Sequence, residues 1–184
     1  MMPRVTCKPA VSIGVGRFEV LAWVTDAGVC RLELPPGLPG LAEKEAGHLR
    51  VTIRREPGKA GRRHVAEMVE FLGAVMAGKE PGMVPRPDLS GVSEFTALVL
   101  GETGRIPWGE VRSYGWIADR LGRSGAARAV GGALGRNPVP LLVPCHRVVS
   151  SDGTIGGFGL GAGFKEWLLS LERGKCRPNG GPEA

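Results

Sequence analysis

The stretch YGWIADRLGRSGAARAVGGAL, residues 114–134, decides how this chain folds. Ile117 and Leu121 stand at i and i+4, Gly122 stops a first helix, and a second apolar stripe of Ala126, Val130, Ala133 and Leu134 starts four residues later. Two short helices joined by a tight glycine-containing turn form a helix-turn-helix, whose second helix can enter a DNA groove, although helical hairpins also occur in proteins that never touch DNA. The outer face of the second helix is more telling. Arg128, Gly131, Gly132 and Gly135 lie away from the apolar stripe, and each interior glycine costs about 1 kcal/mol of helix propensity relative to alanine. A helix with that composition is expected to have a large surface pressed against its backbone, either DNA or another helix of a bundle. Arg128 rises alone from small neighbours, as a solvated side chain or as a wedge able to enter a base stack. Tyr114, the sole tyrosine, is expected to cap the first helix, packing there or reaching phosphate or base.

Immediately downstream, Asn137-Pro-Val-Pro-Leu-Leu-Val-Pro-Cys-His-Arg147 sets one cysteine beside a histidine after an apolar run bracketed by prolines. A cysteine attacks as its thiolate, and an adjacent base raises the thiolate fraction, so Cys145-His146 suits a nucleophile. Pro144 fixes its own φ and restricts Val143, which stiffens the approach to the thiol. A buried cysteine beside an incidental histidine is the plainer alternative. Next comes SSDGTIGGFGLGAGF, residues 150–164, with six glycines between 153 and 163. It lacks the GK[ST] ending and preceding strand of a phosphate loop, so it either admits a flat ligand beside Phe158 or simply connects. A last helix, 164–173, should bury Phe164, Trp167, Leu168 and Leu171. Lys165 and Glu172 fall near the edge of that face, where an acid can orient a histidine or stay solvated.

Upstream, 17–24 and 29–34 read as strands around a turn, with Cys30, Leu32 and Leu34 on one face. Leu49, Val51 and Ile53 alternate with Arg50, Thr52 and Arg54 in a third strand with one wet face. After a basic GKAGRR turn, Val65, Met68, Val69, Leu72 and Met76 recur at helical spacing. Residues 80–91, EPGMVPRPDLSG, carry three prolines and read as a linker, followed by a helix with Phe95, Leu98 and Val99 that ends at Ile106-Pro-Trp-Gly-Glu110. The expected organisation is an N-terminal α/β domain over 1–80, a linker over 81–92, a mostly helical domain over 93–173 and a flexible tail over 174–184.

The 184 residues carry a net charge of +6. Seven arginines between Arg105 and Arg147, against Glu110 and Asp119, supply +5 of it, so a polyanionic partner would meet the helical half. No stretch reads as a membrane span or a signal peptide, which makes a cytoplasmic, nucleoid-associated location the expectation. Cys7, Cys30, Cys145 and Cys176 and the histidines His48, His64 and His146 show no metal-ligand spacing. Cys7 with Cys30 could form a disulfide or half of a metal site, but intracellular cysteines are usually reduced and separate.

Taken in order and spacing, YG at 114, RAVGGA at 128, NP at 137, PCHRVV at 144 and KEWLLSLE at 165 resemble the O6-alkylguanine-DNA alkyltransferases, continuously from about residue 93 to 173. The resemblance implies a ribonuclease H-like N-terminal domain, with a small antiparallel sheet plus a helix, followed by a winged-helix-like helix-turn-helix domain. It implies irreversible, single-turnover transfer of an alkyl group from O6-alkylguanine, and less well O4-alkylthymine, to Cys145, without a cofactor. Some vertebrate members hold a structural zinc in the N-terminal domain, and because at most Cys7 and Cys30 match those ligands, no bound metal is expected here. Residue by residue, His146 would deprotonate Cys145 through a water, Glu172 would orient His146, and Tyr114 would donate toward the leaving guanine. Arg128 would replace the flipped base, Asn137 would be the hinge between recognition helix and active-site turn, and Lys165 would support reactivity. Pro140, Val148, Gly156, Phe158 and Gly159 would form the pocket, with Phe158 standing where many members carry tyrosine. Gly115, Thr96, Arg123, Ala127, Gly131 and Ser151 would join Arg128 and Tyr114 against DNA. The partner implied is double-stranded DNA, bound by a monomer through the minor groove with little sequence preference. A lesion-binding protein without transfer and a Cys-His hydrolase are the other classes compatible with these residues.

Overall fold

A computed structural model of the chain describes residues 11–15, 17–35, 49–54 and 57–173. The first half is a four-stranded antiparallel sheet backed by one long helix, and the second half is built from short helices. Strands β1 (Val11–Val15), β2 (Phe18–Val24), β3 (Val29–Glu33) and β4 (Leu49–Ile53) lie in the order β3-β2-β1-β4. Strand β1 is absent from the sequence expectation. It is five residues long and carries Gly14, so its β character comes from pairing on both sides, Ile13 lying opposite Val20 and Val51. Val11, Ile13, Val15, Val20 and Ala22 are buried. Helix α1 (Lys59–Met76) packs on this sheet and buries Val65, Met68, Phe71, Leu72 and Val75.

Several expectations for this half need correction. The GKAGRR segment is the start of α1 rather than a turn before it; Asp26, from the β2–β3 turn, accepts from the Gly61 amide and serves a helix start that has no side-chain cap of its own. On β3 the buried residues are Val29 and Leu32, with Leu34 buried just after it, while Cys30 is only partly covered, because the register shifts at Trp23/Val24. Strand β4 is an edge strand, and Val51 and Ile53 are 42% and 44% exposed, so its alternation marks no buried face. Cys7 and the terminal tail lie outside the described residues.

The proline-rich segment after α1 is strapped onto β3. Val29 donates to the Arg86 carbonyl and accepts from Asp88, each at 2.9 Å, and Thr25 Oγ1 donates to the Asp88 carboxylate at 2.9 Å. Gly28 permits this approach, since a Cβ there would lie 2.3 Å from the Arg86 carbonyl oxygen. Beyond it come α2 (Glu94–Thr103), α3 (Tyr114–Arg120), α4 (Ala127–Leu134) and α5 (Ala162–Glu172). Helices α2, α3 and α4 pack on one another, and α5 packs on α1. Leu98 of α2 is 48% exposed, off the buried face it was expected to join. Ser113, not Tyr114, caps α3, its Oγ accepting from the Trp116 amide at 3.0 Å. Helix α5 begins two residues earlier than expected and buries Phe164, Leu168 and Leu169, leaving Trp167 and Leu171 half-buried. Among the described residues no helix is long and apolar enough to cross a membrane.

Candidate active site

Cys145 begins a single 3-10 turn, Cys145–Arg147, and the chain then enters the short strand β6 (Val148–Val149), which pairs in parallel with β5 (Arg112–Ser113). That pairing brings the start of α3, and so Tyr114, alongside the active-site turn. The approach to the thiol is tightly bent. Leu141 has φ 73°, and among the described residues it is the one non-glycine with positive φ. Such a conformation costs on the order of 1–3 kcal/mol and persists where surroundings enforce it; here Leu141 is buried and Val143 donates to the Val139 carbonyl at 3.0 Å.

Asn137 ties this loop to the thiol. Its Nδ2 donates to the Val143 carbonyl at 3.0 Å and to Cys145 Sγ at 3.2 Å, while its Oδ1 accepts from the Val139 amide at 3.0 Å. The next residue, Pro138, accepts from the Leu32 amide at 2.8 Å, which joins the loop to the sheet. Burial pushes the Cys145 thiol above its ordinary pKa, against the opposing pull of the Asn137 N–H and the Lys165 charge. The resting group is therefore a neutral thiol with thiolate-stabilising partners already in place.

Behind the thiol, His146 Nε2 lies 2.7 Å from Glu172 Oε1, and both side chains are buried. Glu172 is no solvated helix-end charge. It accepts from Arg147 Nε at 2.9 and 3.1 Å, from Arg147 Nη2 at 2.9 Å and from the Gly109 amide at 3.1 Å. Burial alone would raise the Glu172 pKa, but hydrogen bonds from His146 and Arg147 outweigh it and hold the carboxyl at about 2. His146 is held below its ordinary value, first by burial and then by the positive charges of Arg147 and Lys165, against the pull of Glu172. Its Nδ1 is buried and has no hydrogen-bond partner among the described residues.

Lys165 is 0% exposed rather than at a helix edge, and its Nζ donates to the carbonyls of Val148 and Ile155. Burial lowers its pKa to about 8, with the Cys145 charge opposing. Its ammonium lies 5.9 Å from the Tyr114 ring centre and 6.0 Å from that of Phe158, within reach of both aromatic faces. Tyr114 donates to the Gly157 carbonyl at 3.4 Å, and its pKa is raised by burial and then by the Cys145 charge. Gly156 has φ 67°, and a Cβ there would meet Tyr114 Oη and Ser150 Oγ at 3.2 Å, so both its conformation and its crowding call for glycine.

A groove of about 950 Å³ opens on the thiol and extends toward β3 and the strapped segment. Pro140, Phe158 and Gly159 line it with Cys145, Tyr114 and Asn137. Val148 and Gly156, expected in its wall, are not among the residues that line it: Val148 is buried and its carbonyl accepts from Lys165, and Gly156 is exposed beside Tyr114. Arg128, Arg123 and Ser151 are exposed, with Ala127, Gly115 and Gly131 half-covered nearby. Thr96 is a correction. It is 1% exposed and its hydroxyl accepts from Ser93 at the start of α2, so its side chain is turned away from any surface ligand. Gly131 answers partly to the protein itself, since a Cβ there would stand 3.7 Å from the Tyr114 ring, whereas Gly132 and Gly135 are exposed. Arg147 and Gly109 were missed. The only sequence signal for Arg147 is its place two residues after the cysteine, and Gly109 lay in a segment read as a helix break. Among the described residues no three of His, Cys, Asp and Glu gather as a metal site.

Residues 94–174 match the family profile described as 6-O-methylguanine DNA methyltransferase, DNA binding domain. A methylated-DNA–protein-cysteine methyltransferase of Mycolicibacterium paratuberculosis is 47% identical over 122 residues, 64% of this chain and 73% of that protein. The structure of Mycobacterium tuberculosis OGT in complex with DNA superposes with a TM-score of 0.66 at 33% identity, covering 85% of this chain and 87% of that one. An O6-methylguanine-DNA methyltransferase from Pyrococcus kodakaraensis superposes with a TM-score of 0.53 at 26% identity, covering 88% and 96%. By this sequence identity, coverage and shared fold, the chain belongs to the methylated-DNA–protein-cysteine methyltransferase family.

Proposed function

We propose that the chain repairs alkylated DNA by direct reversal, moving the alkyl group of O6-alkylguanine, and less well O4-alkylthymine, onto Cys145. The observation that carries this reading is a buried thiol that accepts from Asn137, feels the charge of Lys165 and is followed directly in the chain by a histidine fixed by a carboxylate. His146 takes the thiol proton at Nδ1, with a water bridging the two groups. The thiolate attacks the O-alkyl carbon in line, a C–S bond forms, and the C–O electron pair returns to guanine O6. Tyr114 passes a proton to the guanine ring nitrogen and recovers one from the imidazolium through solvent, so the proton lost by the thiol ends on the base. A thioether remains on Cys145 and no group regenerates the thiol. The protein is thus a reagent used once, needing no cofactor.

The attacked carbon is inaccessible inside a duplex, so the nucleotide must rotate into the groove beside Cys145. Arg128, exposed on α4, fills the gap in the base stack, and the glycine face of α4 lets the minor groove come close. The amino end of α4 has no side-chain cap and leaves its amides available to phosphate. With Phe158 in the loop, backbone amides of the glycine-rich segment hold the base. Binding by a monomer is sequence-tolerant and weakens with salt. The division into a ribonuclease H-like unit over 1–80, a linker over 81–92 and a winged-helix-like unit over 93–173 belongs to the same reading, as does association with the nucleoid.

Intact-protein mass after incubation with duplex DNA carrying O6-methylguanine tests it. A gain of one methyl mapped to Cys145 is expected. Tight lesion binding with unchanged mass overturns the reading in favour of a sensor without transfer.

A further inference from the structure

Arg147 holds the carboxylate of the relay and anchors it to the segment around Ile106 and Trp108. Its Nε and Nη2 grip both oxygens of Glu172, its Nη1 donates to the Ile106 carbonyl at 2.6 Å, and its guanidinium lies 5.5 Å from the Trp108 ring centre. The side chain is 12% exposed. A planar fork seated this way fixes a carboxylate in plane as well as in charge, which a lysine cannot do. The carboxylate so held also carries His146.

Left alone with His146, Glu172 would favour the imidazolium, and an imidazolium has no lone pair with which to receive a proton. With Arg147 in place the carboxylate is already balanced. We infer that Arg147 is a positioning residue of the reaction, orienting His146 through Glu172 while keeping the imidazole neutral, with Nε2 carrying the hydrogen and Nδ1 free to accept. The charged groups around His146 oppose one another: burial, Arg147 from the turn and Lys165 from α5 lower the histidine's affinity for a proton, and Glu172 from α5 raises it. The inference rests on the alkyl-transfer reading, because only a proton acceptor needs this state.

The test is a ¹⁵N-histidine NMR titration of the full chain with the rate of transfer to free O6-benzylguanine measured alongside, in the native protein, Arg147→Gln and Arg147→Lys. The chain has three histidines, so the spectrum is simple to assign. Native His146 is expected to be neutral at neutral pH, as the Nε2–H tautomer, and to titrate below the ordinary histidine range. In the Gln variant its titration should move up by about one unit or more, and the acid limb of the rate profile should move with it. In the Lys variant the titration should stay near the native one while transfer slows several-fold, since charge is kept and the fork is lost. An imidazolium at pH 7 in the native protein, an unmoved titration in a folded Gln variant, or a Lys variant that transfers at the native rate would overturn the inference. If the Gln variant does not fold, the native tautomer and the Lys rate still decide. The NMR readout needs no alkyl transfer, so a protein that titrates as expected but gains no alkyl mass refutes the functional reading separately.

Discussion

The two sides of Cys145 are built on opposite plans. Behind the thiol, Glu172, Arg147, His146, Lys165 and the Ile106 and Gly109 backbone form a buried polar network in which one carboxylate receives hydrogen bonds from three residues. In front of it, α4 and its C-cap present Arg128, Gly132 and Gly135 to solvent. The buried side is densely hydrogen-bonded, which fixes the orientation of its groups, and His146 Nδ1 is the atom of this network left without a partner among the described residues. The open side is left unfilled so that a partner can supply the missing contacts. The contrast separates reactivity from access, and substitutions on each side should fail in different ways.

The largest effect belongs to the atom between the two. Cys145→Ser should abolish the mass gain on O6-methylguanine DNA while leaving duplex affinity, read by fluorescence anisotropy, close to the native value. Lost binding as well as lost transfer would show that the two sides are not separable.

On the buried side, Glu172→Ala strands the Arg147 charge and should destabilise the fold by about 3–5 kcal/mol, measured by urea denaturation. The same group sets a pH window. Its folded pKa is depressed to about 2 from 4.5, so the stability it contributes is complete above about 4.5 and disappears as pH falls toward 2. Lys165 acts in the alkaline range: with its folded pKa lowered to about 8 from 10.5, the penalty for burying its charge is full below 8 and is relieved as pH rises toward 10.5. Replacing Glu172 should flatten the acid limb of stability and leave the alkaline rise in place.

On the open side, Arg128→Ala should slow transfer from duplex DNA by about tenfold or more, a barrier increase of about 1.4 kcal/mol, yet leave transfer from free O6-benzylguanine unchanged. Equal losses on both substrates would remove the base-flipping role. The smallest effect is the most diagnostic of an open face. Gly132→Ala has room, its new Cβ meeting nothing nearer than an Arg136 nitrogen at 3.7 Å. It should raise the stability of the free protein by up to about 1 kcal/mol while weakening duplex binding. A gain in both would mean that nothing presses on that face.

The same contrast explains what could be read in the sequence. The open side is local: the periodicity of Ile117, Leu121, Val130 and Leu134 and the glycines of α4 lie within 22 residues, and the structure has the two helices where the pattern set them. The buried side joins residues 25, 41 and 63 positions apart, and no spacing rule foretells such pairs. Glu172, taken on its own periodicity, read either as an acid that orients a histidine or as a solvated helix-end charge, and the family resemblance favoured the first. Strand β1 escaped for a related reason, since its strand character comes from Val20 and Val51 on either side rather than from its own five residues.

The hydrogen bond from Leu32 to Pro138 bears on when the reactive centre comes into being. It ties the outer strand of the sheet to the residue beside Asn137, while Lys165 and Glu172 arrive on the last helix. Assembly of the thiol's surroundings therefore waits for segments from both halves of the chain, and a chain folded part of the way carries an ordinary cysteine. The thiol's surroundings are thus a property of the whole fold, held from the sheet on one side and from the last helix on the other.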